Sequence, residues 1–273
     1  MAIPHQRTKT PELRLLPKHH AYLDAVHRFQ FLKPEHFQIL FGGALNARTL
    51  RLDLKKLNAA RLLNRARKNK DEEYTYFPPS IREKSPLMLD HTNEITWVQV
   101  LLATDAAQHN LEMMALERRP SRIKFEAVMK NRDGIMKSRR CIPDLFAAVR
   151  NTAKPVGQDM SCIFWEITNA KPGQHFRKEN DIVQKCEAYN AYFDSGNFVD
   201  RLQKEFHIVC RNFRVVITFP TELRAQNFIQ ILKQRNVAYP GRFWITWKEA
   251  YRANLYGPIF LSPKDNSLHS ICD

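Results

Sequence analysis

Two apolar stretches, each interrupted by one carboxylate, constrain the fold of this chain more than any other feature. They are Cys141–Phe146, which contains Pro143-Asp144, and Cys162–Thr168, which contains Glu166. Short and nearly continuous apolar runs are typical of strands that are buried on both faces of a sheet. A carboxylate in such a strand is costly unless it is paired or bound to a cation. The sequence therefore predicts a covered sheet in which Asp144 and Glu166 both need a partner.

The pattern of residues 89–273 predicts a mixed sheet with helices on its faces, an α+β or α/β architecture. A long helix is predicted from Leu89 to about Gln108, and later helices cover about 179–193 and 222–235. The predicted strands are 111–116, 123–128, 141–149, 162–167, 213–219 and 242–247. This order of elements is similar to the core of the PD-(D/E)xK nuclease-like fold.

Residues 18–79 predict a winged helix-turn-helix. Helices are expected at 18–29, after Lys33-Pro34, and from Asn46, a good helix N-cap that precedes an apolar stripe of leucines. A hairpin between Leu62 and Phe77 would form the wing. The predicted organisation is a basic arm (1–17), a winged-helix domain (18–79), a linker (80–88) and a nuclease-like domain (89–273).

The charge of the chain favours a polyanionic partner. Its formal net charge is +15, and residues 1–80 contain 15 Lys/Arg against 7 Asp/Glu. A winged helix sets its third helix in the major groove and its wing against phosphates. The predicted DNA contacts are Arg48, Arg51 and Lys55 on the third helix, and Arg65, Arg67, Lys68 and Lys70 in the wing. The alternative is a helical protein-docking module with a solvated basic face.

Other classes are disfavoured by composition. The longest strongly apolar stretch, around Trp97 to Ala103, is far shorter than the roughly 18 residues of a spanning helix. The start, 1–7, lacks the apolar region of a secretion signal, so a cytoplasmic protein without a membrane partner is expected. The five cysteines are scattered without a C-x-x-C pair, and we interpret them as reduced packing residues.

Asp144 and Glu166 together have the chemistry of a Mg²⁺ or Mn²⁺ site. Carboxylate oxygens are hard ligands, and two of them leave positions open for water and a phosphate oxygen. Such a nuclease site also uses a lysine two residues beyond the glutamate, where this chain has Thr168. Lys171, Lys178 and Lys185 are possible substitutes, of which Lys185 borders the buried face of the predicted helix. The alternative for Lys185 is an ordinary surface lysine.

The layout resembles the replication-relaxation family of plasmids and mobile elements. The resemblance covers about residues 18–262 and depends on 44–51, 61–63, Leu89-Asp90-His91, Ile142-Pro143-Asp144, Phe164-Trp165-Glu166-Ile167 and Lys185-Cys186-Glu187-Ala188-Tyr189. It implies an N-terminal winged helix, a nuclease-like domain that often departs from the catalytic pattern, and binding to the DNA of the element. Thr168 is a departure of that kind.

Two principal functions follow as hypotheses. The first is a DNA-binding accessory or regulatory protein of a plasmid or mobile element, which needs no cofactor and does not cut. The second is a Mg²⁺- or Mn²⁺-dependent endonuclease with Asp144 and Glu166 as metal ligands and Lys185 as the catalytic cation. Double-stranded DNA is the expected partner of both, with a homodimer and other replication, transfer or transposition proteins as further partners. An RNA-binding or protein-docking module is a third alternative.

Overall fold

The computed structural model of the chain describes residues 14–43, 45–130, 134–168 and 175–272. The chain is divided into two compact units, Met1–Thr96 and Trp97–Asp273. The boundary between them falls inside one helix, Pro86–Asp105. Most of the predicted basic arm, 1–13, lies outside the described residues. None of the helices in the described ranges combines the length and the apolar character that crossing a bilayer requires.

The N-terminal unit contains helices followed by a short hairpin. Proline occupies the first turn of α1 and α2, where its missing N–H would have had no intrahelical partner. The side-chain oxygen of Asn46 accepts hydrogen bonds from the N–H groups of Arg48 and Thr49, at 3.0 and 3.1 Å, and so caps α3 as predicted. The elements are α1 (Pro17–Phe29), α2 (Pro34–Leu40), α3 (Ala47–Ala59), β1 (Asn64–Ala66) and β2 (Thr75–Phe77), with β1 and β2 antiparallel.

The predicted apolar stripe of α3 is confirmed. Leu50, Leu54 and Leu57 are buried, and in the same unit the rings of Tyr22 and Phe37 meet edge to face with centroids 5.6 Å apart. A leucine every three to four residues on one face is what allows a short helix to bury a continuous stripe. The exposed surface of α3 carries its cations, together with the half-exposed Leu52.

The C-terminal unit contains one large sheet, one separate hairpin and several helices. Its elements follow the second half of α4 (Pro86–Asp105). They are β3 (Leu111–Glu117), α5 (Pro120–Ile123), β4 (Phe125–Lys130), β5 (Met136–Cys141), β6 (Leu145–Asn151), β7 (Met160–Ile167), α6 (His175–Asp194), α7 (Asn197–Phe206), β8 (Phe213–Phe219), α8 (Glu222–Gln234), β9 (Phe243–Trp247), α9 (Lys248–Asn254), β10 (Phe260–Leu261) and β11 (Leu268–His269).

The large sheet is mixed, which confirms the predicted class. Seven strands lie in the order β11-β10-β9-β8-β7-β6-β3. Strand β6 is antiparallel to both of its neighbours, β3 and β7, whereas β7, β8 and β9 run parallel. Parallel neighbours need a crossover, and α6 with α7 and then α8 supply these connections. The central strands are buried along nearly their whole length, as expected for a sheet that is covered on both faces.

Two predicted strands need correction, and two elements were not predicted. The strand predicted at 141–149 is divided, because β5 ends at Cys141 and β6 begins only at Leu145, after Pro143. Strand β5 itself was not predicted, since most of its side chains are polar and exposed. Helix α7 was also not predicted. The strand predicted at 123–128 starts at Phe125 because α5 occupies the preceding residues.

Candidate functional site

The antiparallel pairing of β6 and β7 brings Asp144 to Glu166. The N–H of Asp144 donates to the carbonyl oxygen of Trp165 at 3.0 Å, and Oδ2 of Asp144 accepts the N–H of Ile167 at 2.7 Å. Asp144 is therefore hydrogen-bonded to the backbone on both sides of Glu166, through its own N–H on one side and its carboxylate on the other. Leu145 of β6 is paired with Trp165 of β7. The register of these two strands therefore sets Asp144 next to Glu166.

Glu166 is buried and hydrogen-bonded to two residues of α6. Only 3% of its surface is exposed. Its Oε1 accepts the hydroxyl hydrogen of Tyr189 at 2.8 Å, and its Oε2 forms an ion pair with Nζ of Lys185. Lys185 and Tyr189 are four residues apart, so they lie on one face of the helix. Of the three lysines considered from the sequence, Lys185 is the one that the described residues bring to the carboxylates.

At this site, burial and the neighbouring opposite charge have opposing effects on the pKa values of Glu166 and Lys185. The pKa of Glu166 is raised to about 7, because burial and the nearby Asp144 outweigh the opposing effects of Lys185 and Tyr189. Burial by itself would lower the pKa of Lys185, but Glu166 and Asp144 more than offset it, so that pKa is above its ordinary value and the ammonium remains charged. The site therefore keeps a cation beside two carboxylates in a region of low polarity.

A second cation, Arg118, directly follows β3 and interacts with Asp144. Its guanidinium donates to Oε1 of Gln99 on α4 at 3.2 Å. Burial lowers the pKa of Arg118 to about 10, and the Asp144 carboxylate acts in the opposite direction. Sequence reasoning missed Arg118. The register could have revealed it, since β3 pairs with β6 such that Glu117 is opposite Phe146, which sets the next residue of β3 close to Asp144.

Thr168 is hydrogen-bonded to the neighbouring strand. Both its N–H and its hydroxyl donate to the carbonyl oxygen of Thr218, at 3.1 and 2.8 Å. The residue at the position expected for a catalytic lysine thus supports the pairing of β7 with β8. Lys171 lies outside the described residues, and so does the side chain of Lys178.

No family model, curated protein or solved structure matches the chain. The site is therefore interpreted from its own residues.

The donor set at Asp144 and Glu166 fits a cation that is held by two carboxylates. Among the described residues, no group of three or more His, Cys, Asp or Glu side chains is arranged to hold a metal ion. A Mg²⁺ ion in such a site would retain positions for water and substrate oxygens, as this ion commonly does. Because Lys185 already pairs with Glu166, the cation would share that carboxylate with the lysine.

The cations predicted to bind DNA differ in their local partners. Arg48, Lys55 and Lys70 are exposed. Arg51 forms an ion pair with Glu73, and Lys68 pairs with Asp90 at 2.6 Å. Both Arg65 and Arg67 lie over the ring of Tyr74, with guanidinium carbons 4.1 and 4.8 Å from its centroid. The hairpin thus has an arginine-tyrosine stack.

Proposed function

We propose that this protein is a DNA-binding protein whose C-terminal unit is a metal-dependent endonuclease. The observation that carries the proposal is the convergence of Asp144, Glu166 and Lys185, three residues from three different parts of the fold. Lys185 contacts the glutamate and would supply the cation that such a site needs. Thr168, which stands at the usual position of this lysine, has no positive charge. This observation favours cleavage over the accessory function, although both were hypotheses from the sequence.

The order and direction of the elements support this proposal. A helix, three antiparallel strands, a helix and a parallel strand correspond here to α4, β3, β6, β7, α6 and β8. That sequence of elements is the one expected of a PD-(D/E)xK nuclease-like domain. In the same way, α1 to α3 and the hairpin of β1 and β2 support a winged helix, with α3 as the helix that enters the major groove. Membership of the replication-relaxation family is part of the proposal.

Hydrolysis of a phosphodiester forms a bond between a water oxygen and phosphorus and breaks the bond from phosphorus to a sugar oxygen. Mg²⁺ bound to Asp144 and Glu166 would supply charge neutralisation and a more acidic water. Lys185 would stabilise the negative charge that develops on the phosphoryl oxygens. Tyr189 would keep the Glu166 carboxylate in a fixed orientation through the hydrogen bond to Oε1. Thr168 would have no part in the reaction.

A second candidate is a DNA-binding protein that does not cut. The observation in its favour is that both oxygens of Glu166 already have donors, Lys185 and Tyr189, so that this carboxylate is satisfied without a cation. In this alternative the chain would be an accessory or regulatory protein of a plasmid or mobile element, and its C-terminal unit would bind partners.

Conversion of supercoiled plasmid to nicked circles distinguishes the two candidates. We expect purified protein to nick with Mg²⁺ or Mn²⁺ and not in EDTA. The variants Asp144→Asn, Glu166→Gln and Lys185→Met should each lower the activity about 100-fold or more. Lys204→Met, which changes an exposed lysine on α7, is the matched control and should retain activity.

Circular dichroism and DNA binding must accompany the cleavage assay. Variants that melt like the wild type and still bind duplex DNA isolate the chemical step from folding and binding. If wild-type protein binds duplex DNA but nicks it with neither metal, the endonuclease proposal is wrong and the accessory function stands.

A further inference from the structure

The hairpin of β4 and β5 is a two-stranded ribbon with one buried face and one exposed face. Its six residue pairs run from Phe125 and Cys141 to Lys130 and Met136, and the ribbon is not part of the large sheet. Phe125, Ala127 and Cys141 are buried in the core of the C-terminal unit. Successive residues of a strand alternate between faces, so the side chains between them point the other way.

The exposed face of this ribbon is apolar to an unusual degree. Val128 and Met136 lie on it and are 58% and 60% exposed, and the adjacent Ile135 is 58% exposed. A single exposed apolar residue needs no explanation, but three on one hairpin form a patch of the kind that marks an interaction surface.

Charge around the patch identifies the class of partner. The described side chains between Lys124 and Cys141 include four cations and one carboxylate, namely Lys124, Lys137, Arg139, Arg140 and Glu126. Arg139 is hydrogen-bonded to Gln184 of α6. Arg140 is exposed on the face of Val128 and Met136, where it is paired with Glu126, and Lys137 is exposed on the opposite face, near the end of the ribbon. An apolar patch next to exposed cations suits a polyanion that also presents apolar surface, which is a property of DNA grooves.

The ribbon also leads directly into the candidate site. It ends at Cys141, and Asp144 follows after Ile142 and Pro143, a reach of about 10 Å at most. Five residue steps give the ribbon a length of about 17 Å. A two-stranded ribbon of this kind fits the major groove of B-DNA, which is about 12 Å wide. A duplex that lay along the ribbon would therefore have its backbone near Asp144 and Glu166.

We propose that the β4–β5 ribbon is a DNA-contacting element of the C-terminal unit, with Val128, Ile135 and Met136 against base edges and Lys137 and Arg140 against phosphates. This inference rests on the proposed function, because it takes duplex DNA as the partner. It adds a second DNA contact to that of α3 and gives the C-terminal unit a means of aligning the duplex with its own site.

Site-specific photo-crosslinking in the full chain tests the ribbon. Met136 is replaced by p-benzoylphenylalanine, and the protein is irradiated with end-labelled duplex DNA. We expect a covalent protein–DNA band. The control has the same photo-crosslinker at Val156, which is 96% exposed in the turn between β6 and β7, and should give no such band.

A third position separates failure of this inference from failure of the proposed function. Leu52 is 51% exposed on α3, the helix proposed to enter the major groove. Crosslinking from Leu52 but not from Met136 would overturn the ribbon proposal and leave DNA binding intact. Crosslinking from neither position would overturn both. A protein–protein band from Met136 in place of a DNA band would assign the patch to a second copy of the chain, which also overturns the proposal.

Charge removal gives an independent measurement. The double variant Lys137→Gln/Arg140→Gln should weaken duplex binding about tenfold in low salt, because two cations that neutralise phosphates are removed. The matched control is Lys204→Gln/Arg211→Gln, which removes two exposed cations elsewhere in the C-terminal unit and should bind like the wild type. Equal affinities of the two double variants, with both folded, would contradict the ribbon proposal.

Discussion

Arg118 and Lys185 give the candidate site a balance of two cations and two carboxylates. They come from different elements, the end of β3 and the middle of α6. Both cations approach groups that are largely shielded from water, where an uncompensated charge costs several kcal/mol, so removing either one should destabilise the whole site.

Glu117, the neighbour of Arg118, anchors the end of β3 by accepting hydrogen bonds from Arg119 and Arg122, at 2.9 and 3.0 Å.

Glu117 should make stability depend on acid pH. Burial acts to raise the pKa of Glu117, but Arg119 and Arg122 outweigh it and hold that pKa below the ordinary value of 4.5. The stabilisation is therefore complete above about pH 4.5 and is lost as the pH falls through the depressed value. Glu117→Gln should lower the free energy of unfolding by about 1–3 kcal/mol at pH 7, and the difference from wild type should shrink below pH 4.5.

Urea unfolding at a series of pH values measures this effect. Glu112→Gln is the matched control on the same strand, since Glu112 is exposed and its pair with Arg150 is at the surface. A difference between wild type and Glu117→Gln that stays constant from pH 7 to pH 3.5 would contradict the assignment.

Helices α6 and α3 each combine a buried apolar face with charged side chains that lie outside that face. One face of α6 lies in the core through Cys186 and Tyr189, and the same turns bring Lys185 to Glu166. In α3 the buried leucines fix the helix in its unit, and the opposite surface presents Arg48 and Lys55. In both helices the spacing of apolar residues orients the charged side chains.

The N-cap of α3 should contribute measurably to the N-terminal unit. Asn46→Ala removes the acceptor for two N–H groups and should destabilise α3 by about 1 kcal/mol. Hydrogen exchange of the amides of Leu50 and Leu54 is the measurement, and faster exchange is expected. Asn46→Asp retains an acceptor and is the control. Equal exchange in wild type and Asn46→Ala would show that the cap does not stabilise the helix.

At the scale of the whole molecule, the net charge of +15 should govern affinity for DNA. Each phosphate that a cation neutralises releases counterions, so the logarithm of the association constant falls linearly with the logarithm of the salt concentration. Charges on both units can contribute, because Lys55 and Lys70 belong to one unit and Lys137 and Arg140 to the other.

The salt dependence itself is the prediction. The triple variant Arg48→Ala/Lys55→Ala/Lys70→Ala should reduce the magnitude of the slope by about 0.9 for each phosphate that is no longer neutralised, a total of about 3. Fluorescence anisotropy with a labelled duplex between about 50 and 300 mM salt measures it, and Lys204→Ala is the control. A wild-type affinity that does not change with salt would contradict DNA binding through these cations.

The elements that the sequence predicted are those with a strong periodic signal. The stripe of leucines in α3, the cap at Asn46 and the buried strands at 162–167 and 213–219 all depend on local spacing, and the structure confirms them. Helix α7 was missed although its buried residues Phe198 and Leu202 have the i, i+4 spacing of an amphipathic helix. Strand β5 escaped prediction because its periodic signal is weak. The polar residues of β5 give no alternation of buried and exposed positions, since the strand acquires its buried end only by packing on α6.

The sequence by itself determined that Glu166 lies in a buried strand, because its apolar neighbours are a local property of the chain. The prediction that Asp144 lies within a strand was wrong, since Asp144 is half-buried and directly precedes β6. The sequence also identified Lys185 as a residue at the edge of a buried helical face. Only the tertiary structure decided that Asp144, Glu166 and Lys185 meet, and that Arg118 joins them. Strand register and the packing of α6 bring together residues that are up to 67 positions apart in the sequence. Contacts over such separations depend on long-range strand pairing, which local sequence patterns do not encode.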